Sequence, residues 1–350
     1  VRDAASSCEL PGFFNNNNGA LSENRPSKNS CVFGFSALLR ELHDRRGGCF
    51  MKVLISGGSG LVGTALAESL RSEGHTVALL VRPDGEASAG NIRWDPASGF
   101  INTNAMESAD AVVNLNGASI GGGRWNPARK KILRSSRIDV TRVLVDTFTR
   151  LKQKPRVFVS ASAIGYYGNR GDEVLTESSA GGNDFLADTC RDWEAEALRA
   201  QSSGIRTVIA RFGVILSAKG GALTQMLPPF KLGLGGRLGS GEQWMSWIAL
   251  DDVVGLLKAA ISDEQASGPA NVVAPAPVRN SEFTQVLASV LHRPAIFPAP
   301  AFGLRLLLGE MADALLLSSQ RVRAERPPTA TYAFRYENLE PALHAILAKH

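Results

Sequence analysis

The chain has 350 residues, 44% of them hydrophobic and 20% charged, with a formal net charge of +5. At roughly 100–200 residues per domain, that length suits an extensive core and more than one structural region. The basic residues are mostly scattered, and no basic helix alternates with exposed aromatics, which argues against nucleic acid. The densest cluster, Arg129–Arg137, reads as a solvated helix face in preference to an anion site, and no 18-residue apolar run suggests a membrane-spanning helix.

Residues 1–50 carry the polar run Asn15–Asn18, frequent Ser and Gly, and no sustained period before Phe35–Leu42. They read as a disordered leader with one short helix at most, or as an extension upstream of a start at Met51. A signal peptide would need a basic start and an apolar segment, and neither is present. Ser and Arg leave a plastid-type transit peptide open, while Asp3, Glu9, Glu23, Glu41 and Asp44 count against it. Cys8, Cys31, Cys49 and Cys190 match no zinc or CxxC spacing, and the histidines are dispersed. No metal site is expected, and a reduced, cytoplasmic setting is the simplest reading.

Met51–Gly63 reads MKVLISGGSGLVG. Val53–Ile55 suits a buried parallel strand, and a helix begins near Leu61. Between them, Gly57, Ser59, Gly60 and Gly63 satisfy a dinucleotide pattern in which one glycine permits the turn and one exposes backbone to pyrophosphate. Gly63 then lets the helix approach the strand, so that the N–H groups of Leu61 and Val62 face phosphate.

The pattern then alternates: helix Leu61–Ser72 stopped at Gly74, strand Thr76–Val81, a short strand at Ile92–Trp94, strand Ala109–Leu115 and helix Ala128–Leu151. Strand Arg156–Ser160, helix Asp184–Gln201 and strand Thr207–Phe212 follow. This rhythm predicts an α/β protein with a Rossmann-type doubly wound parallel sheet and a smaller, mixed C-terminal substrate-side region. Helices are expected at Asp251–Ile261, Ser281–Leu291, Leu304–Leu317 (buried or amphipathic) and Leu339–Ala348, with a proline-rich connection at Pro294–Pro300. The domain division is 51–297 for the nucleotide-binding part with interleaved substrate-side segments, and 298–347 for a small helical domain.

Cofactor choice is read roughly 20 residues past the loop, where an acid selects NAD and an arginine admits the extra phosphate of NADP. Arg82 stands there, with Asp84 assigned to the following turn, so NADP(H) is expected. Asn114, Leu115, Asn116 and Gly117 end what reads as the fourth strand and should line the cofactor, although Asn114 could instead bond its own backbone in a turn. In FVSASAIGYYG, Ser160 and Ser162 offer hydroxyls. Tyr166 and Tyr167 offer phenols, whose free pKa of about 10 needs a nearby cation for acid–base work; the alternative for both is packing.

The glycine loop, VSASAIGYYG and the helix after it resemble the extended branch of the short-chain dehydrogenase/reductase superfamily. RWNPARKKILRSSRIDVT, DFLADTCRDWE, RFGVILSAKGGAL, LGSGEQWMSWIALDD and GPANVVAPAPVRNSEF narrow the resemblance to the "epimerase family" NADP-dependent oxidoreductases. Some of these are labelled cell-division-inhibitor-like, and they end in a domain of unknown function. The resemblance covers residues 51–350 and implies a Rossmann-type fold. It also implies Ser162 as the catalytic serine, Arg211 at the cofactor, and Arg124, Arg137 and Trp247 near an unidentified small-molecule substrate. The superfamily's Tyr-x-x-x-Lys positions fall on Leu186 and Cys190, and Ala249 stands where relatives carry histidine. Two functions follow: an oxidoreductase or epimerase on a small polar or nucleotide-linked substrate, or an NADP(H)-sensing regulator. A homo-oligomer is left open.

Overall fold

A computed structural model describes residues 50–83 and 90–348. The leader before Phe50, with Cys8, Cys31 and Cys49, and the turn residue Asp84 lie outside the described residues.

Strand β1 (Lys52–Ser56) leads into helix α1 (Leu61–Ser72). Then come β2 (Thr76–Val81), β3 (Ile92–Asp95), β4 (Phe100–Ile101), α2 (Thr103–Met106), β5 (Ala111–Asn114) and α3 (Pro127–Phe148). β6 (Val157–Ala163), β7 (Val174–Leu175), α4 (Phe185–Leu198) and β8 (Arg206–Phe212) follow, then β9 (Val214–Leu216), α5 (Ala222–Lys231), β10 (Trp244–Met245) and β11 (Trp247–Ala249). The chain continues through α6 (Leu250–Ser262), β12 (Gly268–Val272), β13 (Val278–Arg279), α7 (Asn280–Leu291), α8 (Ala301–Leu308), α9 (Glu310–Leu315), β14 (Arg321–Val322) and α10 (Leu339–Ala348).

Eight strands form one sheet in the order β12-β8-β6-β5-β1-β2-β3-β4, parallel except for the β3–β4 hairpin. Its strands are apolar on both faces. Val53 and Ile55 enter a core with Leu66 and Leu70 of α1 and Val253 and Leu257 of α6. Leu54, between them, enters the opposite core with Leu144 and Phe148 of α3 and Ala197 of α4. Burial on both sides explains why these strands read as unbroken apolar runs. The sheet is doubly wound and Rossmann-like.

Two expectations need correction. VVNLNG ends the fifth strand in chain order, because the β4 hairpin arm precedes it. The single helix at Leu304–Leu317 is two short helices broken at Gly309, whose φ of +64° a right-handed helix cannot contain. No residue of α8 is buried, and Leu306 and Leu307 are 76% and 71% exposed.

The C-terminal segment returns to the loop after β6. β14 pairs in parallel with β7, Ser319 Oγ donates to Gly171 O at 2.6 Å, and Gln320 Nε2 donates to Ile164 O and Gly168 O. Among the described residues, no helix is long and apolar enough to cross a membrane.

Candidate functional site

In an open parallel sheet the ligand lies beyond the carboxyl ends of the strands. Here Ser56, Val81, Asn114 and Ala163 end neighbouring strands on that edge. Gly57 turns the chain with φ +75°, and a Cβ there would stand 2.6 Å from Leu115 O. A Cβ on Gly63 would stand 2.3 Å from Gly57 O, so only glycine lets α1 sit this close to the turn. Gly60 is exposed, and a Cβ on it would meet only Gly57 O, at 3.3 Å. It is the N-cap of α1 without a side-chain cap, and no acid occupies the first turn. The N–H groups of Leu61, Val62 and Gly63 therefore lack helical acceptors and add to the positive end of the dipole, which suits phosphate. Ser59 is exposed beside them. The pairing of Ser56 with Leu80 brings Arg82 to the same edge, exposed and in no ion pair with a described residue. A dinucleotide carrying a ribose phosphate fits this set.

The end of β5 divides differently from the expectation. Asn114 is fully buried: its Nδ2 donates to Thr141 Oγ1 at 2.8 Å and Ser160 Oγ at 3.4 Å, and its Oδ1 accepts from Ser56 Oγ at 2.9 Å and Asn116 Nδ2 at 3.0 Å. These bonds tie β1, β5, β6 and α3 together, and they occupy Asn114, Asn116 and Ser160 inside the protein. Half-buried Leu115 and exposed Gly117 are the members of the four-residue run left at the edge.

Ser162 is 2% exposed and donates to Glu194 Oε1 at 2.6 Å. A serine hydroxyl has one proton. In this structure that proton goes to Glu194, so the hydroxyl expected to serve catalysis is engaged inside the protein. Arg211 clamps both Glu194 oxygens, from Nε at 2.8 Å and Nη2 at 2.7 Å, and its Nη1 donates to Tyr167 Oη at 2.9 Å. Tyr167 donates to Asn271 Oδ1 at 2.7 Å. Ser162, Arg211 and Asn271 lie in register across β6, β8 and β12, so the parallel pairing itself assembles this row. Burial alone would lower the Arg211 pKa, but the bonds and charge of Glu194 more than offset it and the net shift is upward. Burial pushes the Tyr167 phenol up, although Arg211 pulls the other way. In this structure Tyr167 and Arg211 are thus engaged with partners inside the protein. Trp247 is likewise core: it is fully buried with Leu216 and Phe283, and its Nε1 donates to Ala276 O at 2.9 Å.

Tyr166 differs. It is half-buried, its ring lies 3.6 Å over the Arg211 guanidinium, and its hydroxyl bonds no described residue. Nearby, Leu186 and Cys190 flank Gly165, with Leu186 Cβ 3.4 Å and Cys190 Sγ 4.0 Å from where its Cβ would be. Burial, reinforced by Glu194, pushes the Cys190 thiol up to about 12. Iodoacetamide at pH 8 is therefore expected to leave Cys190 untouched in native protein and to modify it in urea, read by peptide mass mapping. Native modification at the rate of a free thiol would mean that this helix face opens. Among the described residues no cluster of His, Cys, Asp or Glu is placed to hold a metal.

Arg137 reaches the edge, donating to Ala118 O at 3.1 Å and Leu133 O at 3.0 Å, with its Cζ 3.0 Å from a Cβ built on Gly117. Arg124 is exposed beside Gly309. Sequence reasoning missed Glu194, whereas it left the Arg129–Arg137 cluster between a solvated helix face and an anion site. Glu194 had a signal: it lies on the inward stripe Ala187–Cys190–Glu194–Ala197 of α4, where a buried carboxylate requires a cationic partner.

The NAD dependent epimerase/dehydratase family matches residues 53–274, and a domain of unknown function matches residues 299–346. An epimerase family protein of Mycobacterium leprae is 43% identical over 291 residues, 83% of this chain and 94% of that protein. An Arabidopsis thaliana epimerase family protein described as chloroplastic is 39% identical over 308 residues, 85% of this chain and 87% of its own. The crystal structure of a human epimerase family protein with NADPH superposes with a TM-score of 0.79 at 35% identity, covering 86% of this chain and all of that one. With matches of this extent, the chain belongs to the NAD dependent epimerase/dehydratase family.

Proposed function

We propose that the chain is an NADP(H)-binding, epimerase-like oxidoreductase. Its dinucleotide lies along the carboxyl edge of the sheet, with the diphosphate on the α1 N-terminus, Leu115 and Gly117 beneath it, and the ribose phosphate at Arg82. The uncapped α1 N-terminus, with an exposed arginine rather than an acid after β2, carries this reading. The NADPH held by the human relative supports the same choice.

Titration of cofactor fluorescence tests it. Arg82→Ala is expected to weaken NADPH about ten- to hundredfold, the worth of a charge-assisted contact, and to leave NADH nearly unchanged. An equal loss for both cofactors would remove Arg82 from phosphate recognition, and no NADPH response from wild type would sink the reading.

The bound nicotinamide supplies or accepts a hydride. The substrate side would then use Tyr166, the phenol free to donate a proton, with Arg124 and Arg137 around a small polar or nucleotide-linked molecule. The compartment in this reading is the cytoplasm, with plastid import left open. A second reading, an NADP(H)-sensing regulator with the cell-division link that the resemblance implies, draws support from Leu186, Cys190 and the donated proton of Ser162. NADPH oxidation across a panel of carbonyl compounds separates the two. Turnover that falls at least about tenfold in Tyr166→Phe favours the enzyme with Tyr166 as acid. Tight NADPH binding without turnover favours the regulator.

A further inference from the structure

Most charged contacts of α3 are conventional. Lys130 meets Glu310, Arg134 meets Asp192, and Arg142 meets Asp139 and Glu196. Arg129 and Arg137 on the same helix meet no carboxylate among the described residues. Their Cα atoms are about 12 Å apart along the helix axis, yet the two guanidinium groups converge on consecutive carbonyls. Arg137 Nη2 donates to Ala118 O, and Arg129 Nη2 donates to Ser119 O. Glycines make room for both: a Cβ would stand 3.0 Å from Arg137 Cζ at Gly117 and 2.9 Å from Arg129 Nη2 at Gly122. Arg129 Nε is buried without a partner. Arg137 is half-buried over the Trp193 ring, at 5.5 Å, and burial together with the Arg129 charge lowers its pKa. Two converging, partly desolvated cations with only neutral acceptors are an unbalanced arrangement that an anion would complete.

We propose that Arg129 and Arg137 form an anion site, at the cleft beyond β5, for a phosphate or carboxylate group of the bound ligand. The site deepens the function proposed above and rests on it for a ligand along this edge of the sheet. Gly117, next to the carbonyls that hold the pair, brings the site against the position assigned to the dinucleotide. The anion is then either the cofactor's diphosphate or an acidic group of the substrate, and guanidinium geometry suits both.

The test uses full-length protein, inorganic pyrophosphate as calorimetric probe with and without saturating NADPH, and NADPH fluorescence. Arg137→Gln and Arg129→Gln keep an amide donor for the carbonyls of Ala118 and Ser119 and remove the charge. Each is expected to weaken at least one of the two probes about tenfold or more. Pyrophosphate weakened in the NADPH-loaded protein, with NADPH affinity intact, assigns the anion to the substrate. NADPH weakened, with pyrophosphate and NADPH competing in wild type, assigns it to the cofactor. Both probes within twofold of wild type in a folded variant would overturn the site, and either variant suffices if the other does not fold. Arginine-dependent pyrophosphate binding in a protein that ignores NADPH would leave the site standing and refute the cofactor reading.

Discussion

Glu194→Ala is expected to cost about 3–5 kcal/mol of folding stability, the loss typical of a buried ion pair stripped of one partner. The side chains of Glu194 and Arg211 are only 6% and 3% exposed, so water cannot replace the lost carboxylate. The substitution leaves Arg211 with Tyr167 as its remaining hydrogen-bond acceptor and frees the hydroxyl of Ser162. Urea denaturation measures it. Glu194→Leu combined with Arg211→Met should recover most of the loss, because removing both charges also removes the uncompensated one. A loss below about 1 kcal/mol for Glu194→Ala would mean that the pair is hydrated after all. Ser162→Ala is the smaller companion, at about 1 kcal/mol for one hydrogen bond.

Gly63→Val is expected to abolish most NADPH binding, by about a hundredfold or more, while leaving the far cores folded. Even the first added carbon would stand 2.3 Å from Gly57 O and 2.8 Å from Gly58 Cα, and both are backbone atoms that no rotamer change can move aside. Either α1 retreats or the turn deforms; such overpacking costs about 1–3 kcal/mol or more, and a tenfold loss of affinity corresponds to about 1.4 kcal/mol. Gly60→Ala is the control, because its Cβ would meet a single oxygen at 3.3 Å. Circular dichroism with NADPH titration reads both variants. Equal affinity in Gly63→Val and wild type would show that the phosphates do not depend on this close approach.

The nucleotide half was legible because period, caps and glycines agree there. Leu61–Ser72 is a helix with the predicted ends, and Thr76–Val81 is a strand with the predicted ends. Leu304–Leu317 misled because its apolar content matches one continuous helix, whereas Gly309 breaks it and Leu306, Leu307 and Leu315 are exposed. Ser162 shows a different limit. Its place in the strand resembles that of a catalytic serine, but a hydroxyl's direction depends on what approaches from elsewhere in the fold. Here that is Glu194, from a helix 32 residues away. Asn114 and Ser160 show the same limit: Asn114 ends β5 and Ser160 closes the expected strand, although β6 runs on to Ala163, and both are buried and bonded to partners on other strands or on α3. A strand position can be read from periodicity, but a proton's recipient cannot.

The pairing of β7 with β14 has a consequence for the order of events at the ribosome. Val174 and Leu175 wait for Arg321 and Val322, and the loop of Tyr166 waits for Gln320 to satisfy the carbonyls of Ile164 and Gly168. At ordinary elongation rates that interval is on the order of ten seconds. The strands that cradle the dinucleotide need nothing beyond β12, so a nascent chain can form its cofactor edge while the substrate-side loop is still unclosed. Cofactor capture would then precede completion of the cleft, and truncation before Ser319 should leave a protein that holds the first ligand without a finished place for the second.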